Sequence, residues 1–317
     1  MRFALPLLMV LAALGTGLLT ACGEEEDAQA IIEEAFRQPI ESADVSLALD
    51  LELEGEEAPA EPIRVQVTGP YVSGGRERIP SLDLDVSLQG GGGQIPPFGL
   101  ISTGDNVFVE VAGSAYEVGE QAVAEQNRLL EEQSGEEAGF AALGIEPREW
   151  IADAEVEGEE EVAGVTATHV SAGVDVPALL EDLGEAAERA QELGGEPVPA
   201  LTEEERAQLA EAIEDPRFDL FVDDERRVRR LTAALSLRPP DDGSAPEGFE
   251  GGVLSFEIEL ANLDEGQAEK IQPPPSPRPL SDLLQQLGGL GGDLEALPPG
   301  AVPEGSVPGG GSSGSQP

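Results

Sequence analysis

An α+β fold is predicted for this chain: an antiparallel sheet with one apolar and one polar face, the apolar face covered by a layer of amphipathic helices. Three observations predict it. Long runs alternate apolar and polar residues with period two, turn signals separate the runs, and helical periodicity is confined to a few segments around them. Val45, Leu47, Leu49, Leu51 and Leu53 point one way, and Ser46, Ala48, Asp50 and Glu52 the other. Ile63, Val65 and Val67 repeat the pattern, followed by Leu82, Leu84, Val86 and Leu88. Such alternation makes strands with one buried and one wet face. A sheet of that kind must cover its apolar side, and amphipathic helices can do so.

The remaining elements follow in order. Ile31, Ile32, Ala35 and Phe36 recur at helical spacing until Pro39 stops the run, which predicts a lid or edge helix. Gly104-Asp105-Asn106 between Leu100 to Thr103 and Val107 to Val111 signals a hairpin, and Tyr116 with Val118 begins another short strand. Val123, Leu129 and Leu130 mark a helix over Glu120 to Glu132. Pro147 to Trp150 reads as a helical turn feeding a strand through Ile151, Ala154 and Val156. Val162 to Val174 is a strand pair or one long strand kinked at Gly164. Pro177 to Leu193 reads as an amphipathic helix ended by Gly194-Gly195, and Thr202 with Glu205 caps another. Phe218 to Val222, Val228 to Leu237 and Leu254 to Leu260 close the series as strands.

The N-terminus has a different character. Met1-Arg2 precedes an almost uncharged stretch from Phe3 to Ala21, and Leu19-Thr20-Ala21-Cys22 closes it with the only cysteine in the chain. A basic start, an apolar run and small residues at the end make a secretory signal. Leu-Thr-Ala-Cys resembles the lipobox of bacterial lipoproteins, which implies cleavage before Cys22 and a diacylglycerol on its sulfur. The competing reading is an ordinary signal peptide with a stray thiol. Several acyl chains would hold the protein to a membrane, since each buried CH₂ contributes about 0.8 kcal/mol. The expected organisation is a signal peptide over 1–21, an acidic tether over 22–29, a folded domain over 30–272 and a Pro/Gly/Ser-rich disordered tail over 273–317.

Charge limits the partners. The 317 residues carry 64 Asp and Glu against 17 Lys and Arg, a net charge of -47. Nucleic acid and anionic membrane surfaces repel such a chain, so any hold on a bilayer comes from lipid. The lone cysteine permits no disulfide within the chain.

No enzymatic signature stands out. His169 is the single histidine, and no G-x-S-x-G nucleophile elbow lies between a predicted strand and a helix. Asp223-Asp224 and Asp241-Asp242-Gly243 read as turns and lack the spaced oxygens of a calcium loop. Gly90 to Gly93 lacks the Lys-Ser/Thr of a phosphate loop, and Glu157 to Glu161 reads as a solvated charge run. Arg226, Arg227, Arg229 and Arg230 form the one dense basic cluster, which either offsets neighbouring acids or meets lipid headgroups. No metal or cofactor is called for.

With the order of elements in place, three segments resemble the LppX/LprG-type lipoproteins of mycobacteria, which share a fold with the LolA/LolB lipoprotein carriers. They are Gly164-Val165-Thr166-Ala167-Thr168-His169-Val170 running into Val174-Asp175-Val176, then Phe218 to Asp224 with Arg229-Arg230-Leu231, then Phe256 to Leu260. The resemblance implies a strongly curved half-barrel sheet whose concave face is covered by helices, with acyl chains of lipids or glycolipids between them. The cavity would then be lined by Val45, Leu47 and Leu49, by Leu84 and Val86, and by Val107 and Val109. Leu220, Phe256 and Ile258 would extend the wall, with Leu179 and Leu183 on the covering helix. The residues alone describe a filled interior equally well. Two functions therefore stay open: a monomeric, membrane-anchored lipid-binding protein, and a surface scaffold lipoprotein with a packed core.

Overall fold

The computed structural model describes residues 27–55, 58–59, 61–75, 77–90, 96–133, 150–182, 184, 202–239 and 248–289. The N-terminal run, Cys22, Gly91 to Gly93, Leu183 and Asp241-Asp242-Gly243 lie outside these residues.

The first helix, α1 (Ala28–Arg37), begins inside the segment assigned to the tether. The Asp27 side chain caps it, accepting a hydrogen bond from the Gln29 backbone N–H at 3.1 Å. Six strands follow as a meander: β1 (Ser42–Gly55), β2 (Ile63–Val72), β3 (Ser81–Gln89), β4 (Phe98–Thr103), β5 (Val107–Val111) and β6 (Ser114–Glu117). After α2 (Glu120–Gln133) a second meander begins with β7 (Ile151–Val162) and β8 (Val165–Val174). Helical residues 176–182 and α3 (Glu203–Ala212) precede β9 (Ile213–Val222), β10 (Val228–Leu237) and β11 (Phe249–Ala261). The chain ends its described course in β12 (Arg278–Pro279) and α4 (Leu280–Gly289).

All twelve strands form one sheet in the order β12-β6-β5-β4-β3-β2-β1-β11-β10-β9-β8-β7. The two meanders therefore meet along β1 and β11, which pair from Asp44↔Ala261 to Gly55↔Phe249. The sheet stays open, a curved half-barrel with helices on its apolar side. β2 bends at Gly69, whose φ is +149° and where a Cβ would lie 1.9 Å from the Asp83 carbonyl oxygen. Only glycine lets the two backbones approach so closely, and a glycine inside a strand is a place where a sheet can curve.

The run Glu157 to Glu161, read as a solvated charge run, lies exposed within β7 at the margin of the sheet. Two other readings of the sequence change here. Strand β12 and α4 continue the fold into the segment assigned to the tail. β12 pairs in parallel with β6 (Arg278↔Tyr116), and Leu280 is buried. Finally, α1 is no lid: Ile31, Ile32 and Ala35 are buried, and Ile32 is fully enclosed in the main core with Val170, Leu220 and Val222.

Candidate functional site

Register places the apolar residues of both meanders on one face. One row crosses ten strands through directly paired positions: Val156, Val170, Leu220, Leu231, Ile258, Leu47, Val67, Val86, Phe98 and Val111. A second row runs Ala172, Phe218, Ala233, Phe256, Leu49, Val65 and Leu88. Across β11, β1, β2, β3, β4 and β5 the paired positions on this face carry no charged side chain.

Burial along the rows is uneven. Under α1 the side chains of Val170, Ala172, Leu220 and Val222 have no exposed surface, and Phe218 retains 5%. Beyond β10 the middle of the same face is only half-buried, from Ile258 and Phe256 through Leu47, Leu49, Val65, Val67, Leu84 and Val86 to Leu100 and Val109, while at one end Ala43 and Leu260 are buried together with Leu263. Leaving so many aliphatic side chains half wet forgoes roughly 1 kcal/mol or more at each, at ~25 cal/mol per Å².

The residues expected to line a cavity divide along this boundary. Val45, Leu47, Leu49, Leu84, Val86, Val107, Val109, Phe256 and Ile258 lie on the half-buried part. Leu220 belongs to the packed core beneath α1, and Leu179 packs against that same core. Helix α2, expected to cover the concave face, is fastened at one end of the sheet. There the Asn127 side chain accepts from the Ile79 N–H at 2.8 Å and donates to the Gly104 carbonyl at 2.8 Å.

Trp150, read in the sequence only as part of a turn, immediately precedes β7 and belongs to the packed cluster beneath α1. It is 9% exposed and packs edge-on to Phe218 with ring centroids 6.1 Å apart. Phe218 pairs with Ala233, and Ala233 with Phe256 on the open side. The indole Nε1 is buried without a hydrogen-bond partner. Its being the single tryptophan in a chain with 4% aromatics was the only signal the sequence carried.

The opposite face of the sheet mixes polar groups with two small buried apolar patches, Val162, Ala167 and Phe221 in one part and Ile101 with Phe108 in another. The His169 ring stacks on Phe221 at 4.5 Å, and its Nε2 lies 2.8 Å from Asp219 Oδ1. This is the packing of a strand histidine, facing away from the apolar rows. Arg230 pairs with Glu259 at 2.5 Å and also stands over Phe221. A depression of about 370 Å³ on this face is bordered by Asp50, Asp219, Thr232, Ser255 and Glu257, with Phe256 alone among the expected lining residues. A larger one, about 680 Å³, lies beside α2 among Glu77, Arg78, Asp105, Glu120 and Arg128. Its arginines are already engaged, Arg78 with Asp105 and Arg128 with Glu125 and Glu132. Charged and polar residues border both depressions, and Ala48, Ala233, Ala234 and Phe256 are the apolar residues at the smaller one.

The basic cluster resolves into ion pairs. Asp223 Oδ1 accepts from the Glu225 and Arg227 backbone N–H groups, and Oδ2 accepts from Arg227 Nε at 3.0 Å and Arg229 Nε at 2.8 Å. Burial pushes this carboxyl up, but the hydrogen bonds from Arg227 and Arg229 and the Arg229 charge outweigh it, leaving Asp223 below the ordinary carboxylate range. Arg227 also reaches Asp264 at 3.3 Å, and Arg226 reaches Glu34 at 3.5 Å. The four arginines thus offset acids, and Asp223 is occupied by guanidinium groups where a calcium ion would need its oxygens. Asp44 behaves like Asp223. Burial raises its pKa, while hydrogen bonds from Lys270 and Asn262 and the Lys270 charge bring it below normal.

No protein-family model and no curated relative match the chain. Solved structures do resemble it. LprF from Mycobacterium bovis aligns over 79% of this chain and 97% of its own, at 13% identity and a TM-score of 0.39. The Mycobacterium tuberculosis lipoprotein LppX covers 75% and 95%, at 12% identity and a TM-score of 0.34. A LolA superfamily protein from Nitrosomonas europaea covers 78% and 97%, at 13% identity and a TM-score of 0.21. These are the kinds of protein whose resemblance the sequence suggested. At such identities and scores the likeness carries no weight in the functional argument, which rests on the chain's own face and burial.

Proposed function

We propose that this chain is a lipid-anchored, extracytoplasmic lipoprotein that binds acyl-chain lipids or glycolipids of the cell envelope against the open part of its sheet. The anchor is the acylated Cys22, the partner is the membrane together with the bound lipid, and the protein acts as a monomer without catalysis. The observation that supports this reading most is the uncharged apolar face that continues past α1 and, among the described residues, is only half-buried there. A soluble surface of that extent is a binding site or a liability. An acyl chain laid along it would exchange bilayer contacts for protein contacts, at roughly 0.8 kcal/mol per buried methylene, so uptake and release can both occur. Binding and transfer would then need no energy source beyond the difference between two apolar environments.

The test is mass spectrometry on full-length protein purified from membranes and freed of detergent. A non-covalent acyl lipid at near-unit stoichiometry, together with a diacylglycerol adduct on Cys22, is the expected result. Protein that stays ligand-free and takes up no fluorescent acyl probe would overturn the binding reading, and an unmodified Cys22 the anchor.

A further inference from the structure

We infer that the Trp150 indole N–H is the polar contact for the bound lipid, and that it accepts only a neutral oxygen, an ester carbonyl of the acyl chain. The inference rests on the lipid-binding reading above and names a contact within that same site. A buried tryptophan N–H nearly always finds an acceptor, because leaving one unpaired in an apolar setting costs free energy that packing must make good. Among the described residues Trp150 Nε1 is the one buried side-chain polar atom left without a partner. It belongs to the apolar cluster of Ile31, Val170, Phe218 and Leu220, and nothing in that cluster can accept from it. Its ring contact Phe218 pairs with Ala233, and Ala233 with Phe256, so a row of paired side chains runs from it across β9 and β10 to the half-buried sector on which an acyl chain would lie.

The chemistry of the acceptor follows from the surroundings. A carboxylate or phosphate placed beside these alkyl side chains would lose its hydration with no cation to replace it. The cluster around Trp150 supplies no cation, and the chain's net charge of -47 repels an anion at longer range. An ester carbonyl carries no charge to desolvate, accepts one hydrogen bond, and is joined to the hydrocarbon that the rows would hold.

Trp150 is also the only tryptophan, so its emission reports on this contact directly. Full-length protein is titrated with three ligands of equal chain length: a fatty acid methyl ester, the parent alkane and the free fatty acid at neutral pH. The ester is expected to shift the tryptophan emission and to bind about tenfold tighter than the alkane, the worth of one buried hydrogen bond. The fatty acid should bind more weakly than the ester, with the gap narrowing as salt is added. Trp150→Phe keeps an aromatic ring and removes the N–H, and displacement of an apolar dye replaces emission as its readout. It should bind the alkane as before and lose the ester preference. Equal binding of ester and alkane by the unaltered protein, or an ester preference that survives Trp150→Phe, overturns the inference and leaves the lipid-binding reading standing. Binding of none of the three overturns both.

Discussion

Leu220 and Leu47 occupy the same row of the same sheet face, yet one is fully buried and the other half-exposed. Leu220 belongs to the sector β8 to β10 that α1 closes with Ile31, Ile32 and Ala35. Leu47 belongs to the sector β11 to β5, where the alternation is equally strict and the cover is thinner. The difference teaches that period-two patterning creates an apolar face without deciding whether that face becomes a core or a binding surface. Among the described residues, the cover over Leu220 comes from α1 and from the helical residues around Leu179.

The contrast can be broken most severely at Gly69. A valine there would force a Cβ into the Asp83 carbonyl at a φ that side chains rarely adopt. We expect Gly69→Val to cost about 4 kcal/mol, combining backbone strain with overpacking. Hydrogen exchange should report the loss in β2 and β3 first, with β8 and β9 still protected by α1. Uniform loss of protection would mean that the two sectors are one cooperative unit.

A direct comparison comes from truncating the two leucines. Leu220→Ala should cost about 3 kcal/mol, the usual penalty for a cavity in a packed core. Leu47→Ala should cost about 1 kcal/mol, because much of its side chain already meets solvent or ligand. Urea unfolding midpoints of lipid-free protein measure both. Equal penalties would show that the open sector is as tightly packed as the covered one.

The smallest expected effect separates the fastened end of the sheet from its open face. Asp223 titrates lower in the folded chain than in the unfolded one, so its stabilisation is complete above the ordinary carboxylate range and is lost as pH falls through the folded value. Asp44 contributes in the same direction. Asp223→Asn should therefore be less stable than the unaltered protein at neutral pH, with the gap closing in acid. A gap that does not change with pH would mean that the turn depends on shape alone. Binding of an apolar probe to the open sector should be insensitive to this substitution.

The sheet was largely legible because its signal is local. β1, β2, β3, β10 and β11 all show the alternation that a one-sided strand requires, and the hairpin at Gly104 to Asn106 follows from turn chemistry. What was hidden depends on partners distant in sequence. The segment from Leu280 was assigned to the tail because its partners are far away: the Tyr116 hydroxyl takes hydrogen bonds from Arg278 and Gln286 across a separation of more than 160 residues. The Arg cluster gave two readings because Asp264 and Glu34 cannot be placed beside it from spacing. Trp150 was passed over for the same reason. That its ring is buried and its donor unmet is a property of the assembled core, and no periodicity announces it.

The margins of the sheet bear on how this protein can live at high density. A bare strand edge invites the next molecule to add its own strand, the first step toward fibrils. At one edge, β7 carries Glu155, Glu157, Glu159, Glu160 and Glu161, so two copies approaching along it would set like charges side by side. At the other, the two residues of β12 end in Pro279, which has no N–H to offer a newcomer. The charges of β7 and the proline of β12 thereby keep one molecule from adding its strands to the next, even when many copies crowd a surface.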